Sequence, residues 1–201
     1  MRVKTEAKRE AILEVASQVF QELGYERASM DEIAARVGGS KVTLYGYFSS
    51  KQQLVLEVVK YMGERHLDPA FDELVPGRDD VVSVLRRFGE KFLAFISTPE
   101  AVGGYRMVVA QAGQSDIGRG FFELGPKRGQ GLLAAYLQAE MESGRLRQTD
   151  ASVAAMHLMA LIGAESHQPL LMGAMPPPTR QRVKQMVERA VAVFMAAYAP
   201  R

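Results

Sequence analysis

Two short helices separated by glycine, between residues 29 and 48, constrain the fold more than any other feature of this sequence. The first begins with a serine that Glu32 follows three residues later, which is the pattern of a capping box. Two glycines at 38–39 end this helix, and Ser40 is in position to cap the next one. A helix-turn-helix has the same organisation, with two short helices joined by a turn of about four residues.

The spacing within this segment strengthens the prediction. Ala34 stands where the first helix has to let the second approach, and its small side chain permits that approach. Gly38 follows four residues later, at the turn, where a positive φ favours glycine. Ile33, Val37 and Leu44 are spaced to form a small core between the two helices. Each residue is common by itself, but together they favour a helix-turn-helix over a helical hairpin without a DNA role.

Helical periodicity extends over most of the chain, and alternating strand patterns are missing. The first apolar stripe consists of Ile12, Val15, Ala16, Val19, Phe20 and Leu23. A proline-containing segment at residues 69–80 precedes longer apolar stripes, which lie at residues 81–95, 132–141, 151–172 and 183–198. We therefore predict an all-α fold with an N-terminal three-helix helix-turn-helix domain over residues 1–65. A larger C-terminal helical domain (about nine helices) is expected over residues 66–201.

Composition limits the chemistry that the chain can perform. Among its 201 residues there is no cysteine, which excludes disulfides, thiolate metal sites and cysteine nucleophiles. The three histidines lack the spacing of metal ligands, and the sequence shows no paired carboxylates and no nucleophile constellation. We therefore expect no cofactor, no metal and no enzymatic activity. The longest apolar stretch is too short to span a membrane and the N-terminus does not resemble a signal peptide, so a cytoplasmic protein is expected.

Charge favours a polyanionic partner only locally. The net charge of the chain is +2, too small to indicate nucleic acid by itself. Between Glu32 and Glu57, however, no acidic residue occurs, while Arg36, Lys41 and Lys51 do. A surface with cations and without carboxylates suits the phosphates of DNA. A mobile basic arm at the N-terminus is expected to add Arg2, Lys4, Lys8 and Arg9.

Five segments near the N-terminus carry a family resemblance. They are Gly24-Tyr25, Ser29–Ala34, Val37-Gly38, Ser40–Phe48 and Ser50–Leu54. In this combination they resemble the DNA-binding domain of the tetracycline-repressor (TetR) family of bacterial transcription regulators. Gly39 departs from the pattern, because the family usually has a β-branched or other apolar residue there. Gly46 costs about 1 kcal/mol of helix propensity relative to alanine, and it would allow the backbone to approach DNA closely.

The resemblance implies that the helix beginning at Lys41 enters the major groove of double-stranded DNA. The DNA-binding residues that it implies are Ser29, Lys41, Val42, Thr43, Tyr45, Tyr47 and Lys51. The residues from Lys41 to Thr43 would lie near the bases, whereas the two tyrosines would offer hydroxyls to bases or phosphates. Ser29 and Lys51 would hold backbone phosphates. Either tyrosine can instead be a packing residue, and Lys41 can be a merely solvated lysine.

The resemblance also implies how the remainder of the chain would act. It would form a homodimer and enclose a small-molecule effector, and the protein would be a ligand-responsive repressor of a palindromic operator. Phenylalanine, methionine, leucine and tyrosine dominate this part, which favours an apolar or aromatic effector. The alternative is a helical effector- or protein-binding module without specific operator binding.

Candidate residues for these two roles follow from the apolar stripes. For effector binding they are Phe88, Phe92, Phe95, Met107, Gln111, Phe121, Met159 and His167. For the centre of the dimer interface they are Val187, Val191 and Phe194. The effector candidates can equally fill a closed core, which leaves the position of the pocket open.

Overall fold

The computed structural model describes residues 5–200 of the chain. Over this range the backbone forms α-helices and two π-helical turns, Gly63–Leu67 and Glu123–Lys127, and no strand, so the predicted all-α fold is confirmed. The helices are α1 (Glu6–Arg27), α2 (Met30–Arg36), α3 (Lys41–Tyr47), α4 (Lys51–Met62), α5 (Asp68–Phe71), α6 (Val81–Ile96), α7 (Pro99–Gln111), α8 (Ile117–Phe122), α9 (Arg128–Glu142), α10 (Ala151–Gly163), α11 (His167–Leu171) and α12 (Arg180–Tyr198). None of these helices is long and apolar enough to cross a membrane.

The described residues form two compact units. The N-terminal unit contains the chain up to Gly63 together with Gly103–Gly125, and the C-terminal unit contains Glu64–Val102 together with the chain from Pro126 onward. The boundary predicted at residue 65 lies beside the first of these breaks. A single boundary does not account for the segment Gly103–Gly125, however. This segment follows the boundary in the chain, yet it packs with the N-terminal unit.

Serine side chains begin three helices of the N-terminal unit. Ser29, Ser40 and Ser50 are the N-caps of α2, α3 and α4, and each Oγ accepts a hydrogen bond from the backbone N–H three residues later, at 3.1, 3.1 and 3.0 Å. Each cap satisfies one backbone donor that the first helical turn leaves unpaired. Gly38, between α2 and α3, has a φ of 68°, as the sequence predicts for this turn.

The core of the N-terminal unit joins the helix-turn-helix to its neighbouring helices. Helix α1 packs against α2 and α4, α2 packs against α3, and α4 also packs against α8. The buried side chains include Ile33 and Leu44, which the sequence predicts for the small core, and Phe48 and Leu54 beside them. Gly120 of α8 lies so close to α4 that an added Cβ would meet Leu56 Cδ1 at 2.7 Å.

The C-terminal unit is a layered helical bundle. Helix α10 packs against α9 and α12, α12 packs against α6, and α5 covers α6. The stripe predicted as continuous over residues 151–172 is interrupted, because α10 ends at Gly163 and α11 begins only at His167. Pro169 explains the break. It has no N–H to donate to the carbonyl of Glu165, and its ring would clash with that carbonyl in a continuous helix.

Candidate nucleic-acid interface

One face of helix α3 packs into the core of the N-terminal unit, and the opposite face is exposed to solvent. Leu44 is 2% exposed and belongs to the core, whereas Val42, two residues earlier, is 83% exposed. Lys41, Tyr45 and Gly46 are exposed as well. An amphipathic helix normally keeps its apolar side chains inward. A single exposed valine is common on protein surfaces, so the case for a partner surface rests on the groups that lie beside Val42 on α3.

The exposed face of α3 carries the groups that reading of the major groove requires. Val42 offers methyl groups for contact with the methyl group of thymine, and Lys41 offers an ammonium donor for guanine. Tyr45, 43% exposed, offers a hydroxyl. An added Cβ on Gly46 would meet no atom within 4 Å, so nothing in the protein itself requires glycine there.

Two of the predicted DNA-binding side chains on α3 also have contacts within the N-terminal unit. The hydroxyl of Tyr47 accepts a hydrogen bond from the backbone N–H of Thr5 at 3.0 Å, which connects α3 to the beginning of α1. Thr43 is half-buried, and its Oγ1 lies 2.9 Å from Ser40 Oγ. Tyr47 and Thr43 therefore help to position α3, and their contact with DNA stays a prediction.

Lys51 is bound to backbone carbonyls of the N-terminal unit. Its Nζ donates to the carbonyl oxygens of Tyr25 at 2.7 Å, Ala28 at 3.0 Å and Glu26 at 3.4 Å. The ammonium also lies 4.2 Å from the centre of the Tyr25 ring. These contacts engage the three donors of the ammonium. The resemblance implies a phosphate contact for Lys51, and that contact stays a prediction. Ser29 differs, because its Oγ only accepts from the Glu32 N–H and remains exposed.

Two cations of the acid-free interval are paired with carboxylates that lie outside it. Lys41 Nζ is 2.9 Å from Asp31 Oδ1, and the hydrogen bond to Asp31 raises the pKa of Lys41 above its usual value. Arg36 pairs with Glu22 and Glu32. Although residues 33–56 contain no acidic residue, carboxylates from outside this interval therefore lie on the same surface.

The proposed basic arm lies partly outside the described residues, which begin after Lys4. Of its two described members, Lys8 donates from Nζ to the carbonyl of Val37 at 3.2 Å, and Arg9 pairs with Glu6 and Glu57. Both side chains are thus engaged with the N-terminal unit itself.

Two family models match the chain. One, described as bacterial regulatory proteins of the tetR family, matches residues 12–58. The other, described as AefR-like transcriptional repressor, C-terminal domain, matches residues 83–200, which is more than half of the chain. The chain belongs to the TetR family. Since both models describe transcriptional regulators, the family agrees with the expectation that the chain is a DNA-binding regulator and not an enzyme.

Individual members of the TetR family are similar to this chain over different fractions of its length. The HTH-type transcriptional activator FasR of Mycolicibacterium smegmatis is 38% identical over 114 residues, which is 53% of this chain and 48% of FasR. The chain thus matches about half the length of this curated relative. Among solved structures, a proposed TetR-family regulator from Mesorhizobium loti superposes with a TM-score of 0.89 at 23% identity, covering 98% of this chain and 100% of that one. The flavonoid-responsive regulator FrrA gives 0.77 at 26% identity, covering 98% and 100%.

Within this TetR-family chain, three predicted effector residues come together in the C-terminal unit. Phe88 is fully buried and packs between the rings of Phe71 and Phe92, with centroids 5.3 and 5.5 Å away. Met159 belongs to the same cluster, because Gly129 lies against both Phe71 and Met159. Phe88 therefore fills the core, while Phe92 and Met159 at its margin are half-buried. Phe71 is the member that sequence reasoning missed, since it lies in the proline-containing segment.

Two further effector candidates, Phe95 and His167, do not belong to this cluster. Phe95 stacks on His66 with ring centroids 6.4 Å apart. His167 is half-buried, and burial lowers the pKa of its imidazole below the ordinary value of 6.5. Both residues belong to the C-terminal unit.

Three candidates belong to the N-terminal unit instead. Gln111, predicted as a polar anchor, is 8% exposed and donates from Nε2 to Glu26 Oε1 at 2.7 Å. Phe121 packs edge-on against Tyr105 at 5.7 Å, and Met107 packs against the core of this unit. An open depression of about 530 Å³ lies over the turn between α7 and α8, and none of these three side chains lines it.

The residues predicted for the centre of the dimer interface need correction. Val187, Val191 and Phe194 are 0%, 1% and 0% exposed, because they fill the core between α12 and its neighbours in the same chain. A second copy could not reach them without opening that core. The large apolar side chains that α10 and α12 do expose are Val153 (38%), Met156 (45%) and Val193 (55%).

Proposed function

We propose that this TetR-family chain is a ligand-responsive repressor that binds a palindromic operator as a dimer and is released by an apolar or aromatic small molecule. The observation that carries the proposal is the exposed face of α3. Its inner residue Leu44 anchors the helix in the core, while Val42 and Lys41 project from it. The description of the matched C-terminal family as a repressor supports the direction of regulation, although FasR is named an activator.

Selection of DNA from a pool of random duplexes tests operator binding. We expect the wild-type protein to enrich a palindrome whose half-sites are spaced by about 34–36 Å, one helical turn. Val42→Ala should weaken binding to the enriched site about five-fold or more, because it removes the equivalent of two methylene groups, each of which contributes about 0.8 kcal/mol when fully buried. The matched control is Val109→Ala, since Val109 is also an exposed valine of the N-terminal unit, 56% exposed, but lies outside α3.

The result separates the proposal from its alternative. If the wild-type protein enriches no sequence, the chain is a helical effector- or protein-binding module without specific operator binding. If Val42→Ala and Val109→Ala bind the enriched site equally well, the DNA is contacted by a face other than that of α3. Unchanged thermal unfolding of both variants would show that the fold is intact.

Dimer formation is proposed through the outer faces of α10 and α12. A single helix-turn-helix reads only a few base pairs, so a palindromic operator requires two copies. Exposed apolar side chains on neighbouring helices, here Val153, Met156 and Val193, are what a second copy would cover. Val193→Glu should give a monomer in sedimentation and weaken operator binding, whereas Val75→Glu, on a residue 39% exposed outside these helices, should not. A wild-type monomer at micromolar concentration would refute the dimer.

The effector is proposed to bind at the margin of the phenylalanine cluster of the C-terminal unit, beside Phe92 and Met159. Half-buried aromatic and thioether side chains suit an apolar or aromatic ligand. The name of FrrA, a flavonoid-responsive regulator, supports an aromatic one. Naringenin, a flavonoid, and palmitate, a fatty acid, are therefore suitable probes. A ligand at 100 times its Kd should stabilise the protein by about 2.7 kcal/mol, and it should lower operator affinity. A rise in operator affinity would mean that the effector acts as a corepressor.

A further inference from the structure

The first residue of α3 is joined to the first turn of α2 by an ion pair. Lys41 Nζ lies 2.9 Å from Asp31 Oδ1 and 3.0 Å from Asp31 Oδ2, so both carboxylate oxygens contact one ammonium. Neither side chain is buried, with 57% of Lys41 and 65% of Asp31 exposed. The pair therefore lies at the surface, beside the exposed Val42 that follows Lys41 in the chain.

Stability does not explain this pair. Ion pairs between exposed side chains contribute little to folding, because water and salt screen the attraction and two long side chains lose freedom. The turn between α2 and α3 is already held by Gly38 and by the Ser40 cap. A carboxylate on the surface that is expected to meet DNA also carries a cost, since it repels phosphate. Asp31 also lies in the first turn of α2, where its charge favours the helix N-terminus, but that effect does not require the contact with Lys41. The role of the pair therefore has to be sought in what the surface recognises.

The pair presents a donor and an acceptor side by side. In the major groove a G·C base pair offers the N7 and O6 acceptors of guanine and the N4 amino donor of cytosine. Lys41 is a suitable donor for guanine, and Asp31 is a suitable acceptor for cytosine N4. A backbone phosphate offers acceptors only, so it can satisfy Lys41 but leaves Asp31 facing a like charge. The pair therefore matches a base edge better than it matches the DNA backbone.

We propose that Asp31 determines specificity in operator binding. Its carboxylate keeps the Lys41 ammonium from binding backbone phosphates, whatever the sequence of the DNA. Together with Lys41 it recognises one G·C base pair in each half-site. The inference rests on the operator binding proposed above. It adds a residue of α2 to the contacts that the resemblance implies for α3.

The test compares Asp31→Asn with the wild-type protein on two probes. One is the duplex that the wild-type protein enriches, and the other is a scrambled duplex of the same length and base composition. In Asp31→Asn the lysine is released to bind phosphate. Binding to the scrambled duplex should become tighter, and its log–log salt slope should steepen by about 0.9. The ratio of operator to scrambled affinity should fall about five-fold or more, because the neutral amide accepts less strongly than the carboxylate and also offers donors that suit adenine, so the contact no longer discriminates for cytosine.

A repeated selection with each variant identifies the base pair. Asp31→Asn and Lys41→Ala should both relax the preference at the same G·C position and leave the other positions unchanged. For Lys41→Ala, binding to the scrambled duplex should weaken, because the carboxylate of Asp31 is then left without its ammonium partner and repels phosphate. Thermal unfolding should be close to that of the wild-type protein for both, since both side chains are exposed.

Asp116→Asn is the matched control for net charge. Asp116 is an exposed acidic residue of the N-terminal unit, 77% exposed, and its Oδ1 lies 3.8 Å from Nη2 of Arg119, so it too is paired with a cation. If this variant tightens scrambled-duplex binding as much as Asp31→Asn does, the effect is one of net charge and the proposal is wrong. An unchanged base preference in Asp31→Asn would also overturn it. A wild-type protein that enriches no sequence would instead refute operator binding itself, and this inference with it.

Discussion

The Nζ atom of Lys51, in the first turn of α4, donates a hydrogen bond of 2.7 Å to the carbonyl oxygen of Tyr25, near the end of α1. The same ammonium reaches the carbonyls of Glu26 and Ala28, close to the last turn of α1. Carbonyls at the end of a helix lack intrahelical partners, and a cation there satisfies them and meets the negative end of the helix dipole. Lys51 therefore fixes the segment that leads from α1 into α2.

Replacing Lys51 by methionine should destabilise the N-terminal unit. The substitution keeps an unbranched side chain but removes the charged donor, so we expect a loss of about 1.5–3 kcal/mol, the contribution of a hydrogen bond from a charged group. Urea unfolding measures the loss, with Lys184→Met on the exposed face of α12 as control. If Lys51 also held a phosphate, the salt slope of DNA binding would flatten by about one unit. An unchanged slope would restrict Lys51 to a positioning role.

Replacing Gly46 by alanine should have opposite effects on folding and on DNA binding. An added Cβ meets nothing within 4 Å, so the helix should gain about 1 kcal/mol from the better propensity of alanine. On the exposed face of α3, however, the methyl group would stand where the backbone is expected to approach DNA. We expect a higher melting temperature and weaker operator binding. Equal or tighter operator binding would show that the backbone at Gly46 keeps its distance from DNA.

The sequence predicted the parts of the site that depend on near neighbours. The caps by Ser29 and Ser40 involve hydrogen bonds over three residues, and the left-handed turn at Gly38 depends on one residue. The pairing of Asp31 with Lys41 depends on the angle between α2 and α3, which no local pattern specifies. An interval of sequence without acidic residues therefore does not predict a surface without acidic groups.

The position of the dimer interface likewise depends on how whole helices pack, which no local pattern specifies. Helix α12 is apolar on two faces, and periodicity alone does not tell which face the chain itself covers. The structure assigns Val187 and Phe194 to the core and leaves Val193 exposed. Likewise, no signal in residues 103–125 shows that this segment packs with the N-terminal unit, because the contact of α8 with α4 joins residues far apart in the chain.

Two helical glycines of the C-terminal unit should respond to alanine with opposite signs. An added Cβ at Gly89 in α6 would lie 2.7 Å from Val187 Cγ1 and 3.3 Å from Ile162 Cδ1, so Gly89→Ala should cost about 1–3 kcal/mol by overpacking. Gly131 in α9 has nothing within 4 Å, and Gly131→Ala should gain about 1 kcal/mol from helix propensity. Thermal and urea unfolding measure both. A stabilising Gly89→Ala would contradict the close approach of α6 and α12.

Stability should fall with decreasing pH because of His167. Burial lowers the pKa of its imidazole below 6.5 in the folded protein, so below that pH the unfolded chain binds a proton more readily. The contribution of neutral His167 to the free energy of unfolding is complete above pH 6.5 and is lost as the pH falls below it. His167→Gln should flatten this part of the pH profile in urea unfolding. Parallel profiles for the wild type and His167→Gln would remove His167 as the cause.

Two residues of the phenylalanine cluster are expected to differ in their roles, Phe88 in packing and Phe92 in effector binding. Phe88 is 0% exposed and lies between Phe71 and Phe92, so Phe88→Ala should cost about 3–5 kcal/mol of stability. Phe92 is half-buried at the margin of the cluster, and its truncation should cost less. If naringenin or palmitate binds beside it, Phe92→Ala should also abolish the ligand-induced release of operator DNA. Full release with unchanged ligand affinity, together with a loss of stability as large as that of Phe88→Ala, would make Phe92 a core residue. The pocket would then have to be sought elsewhere.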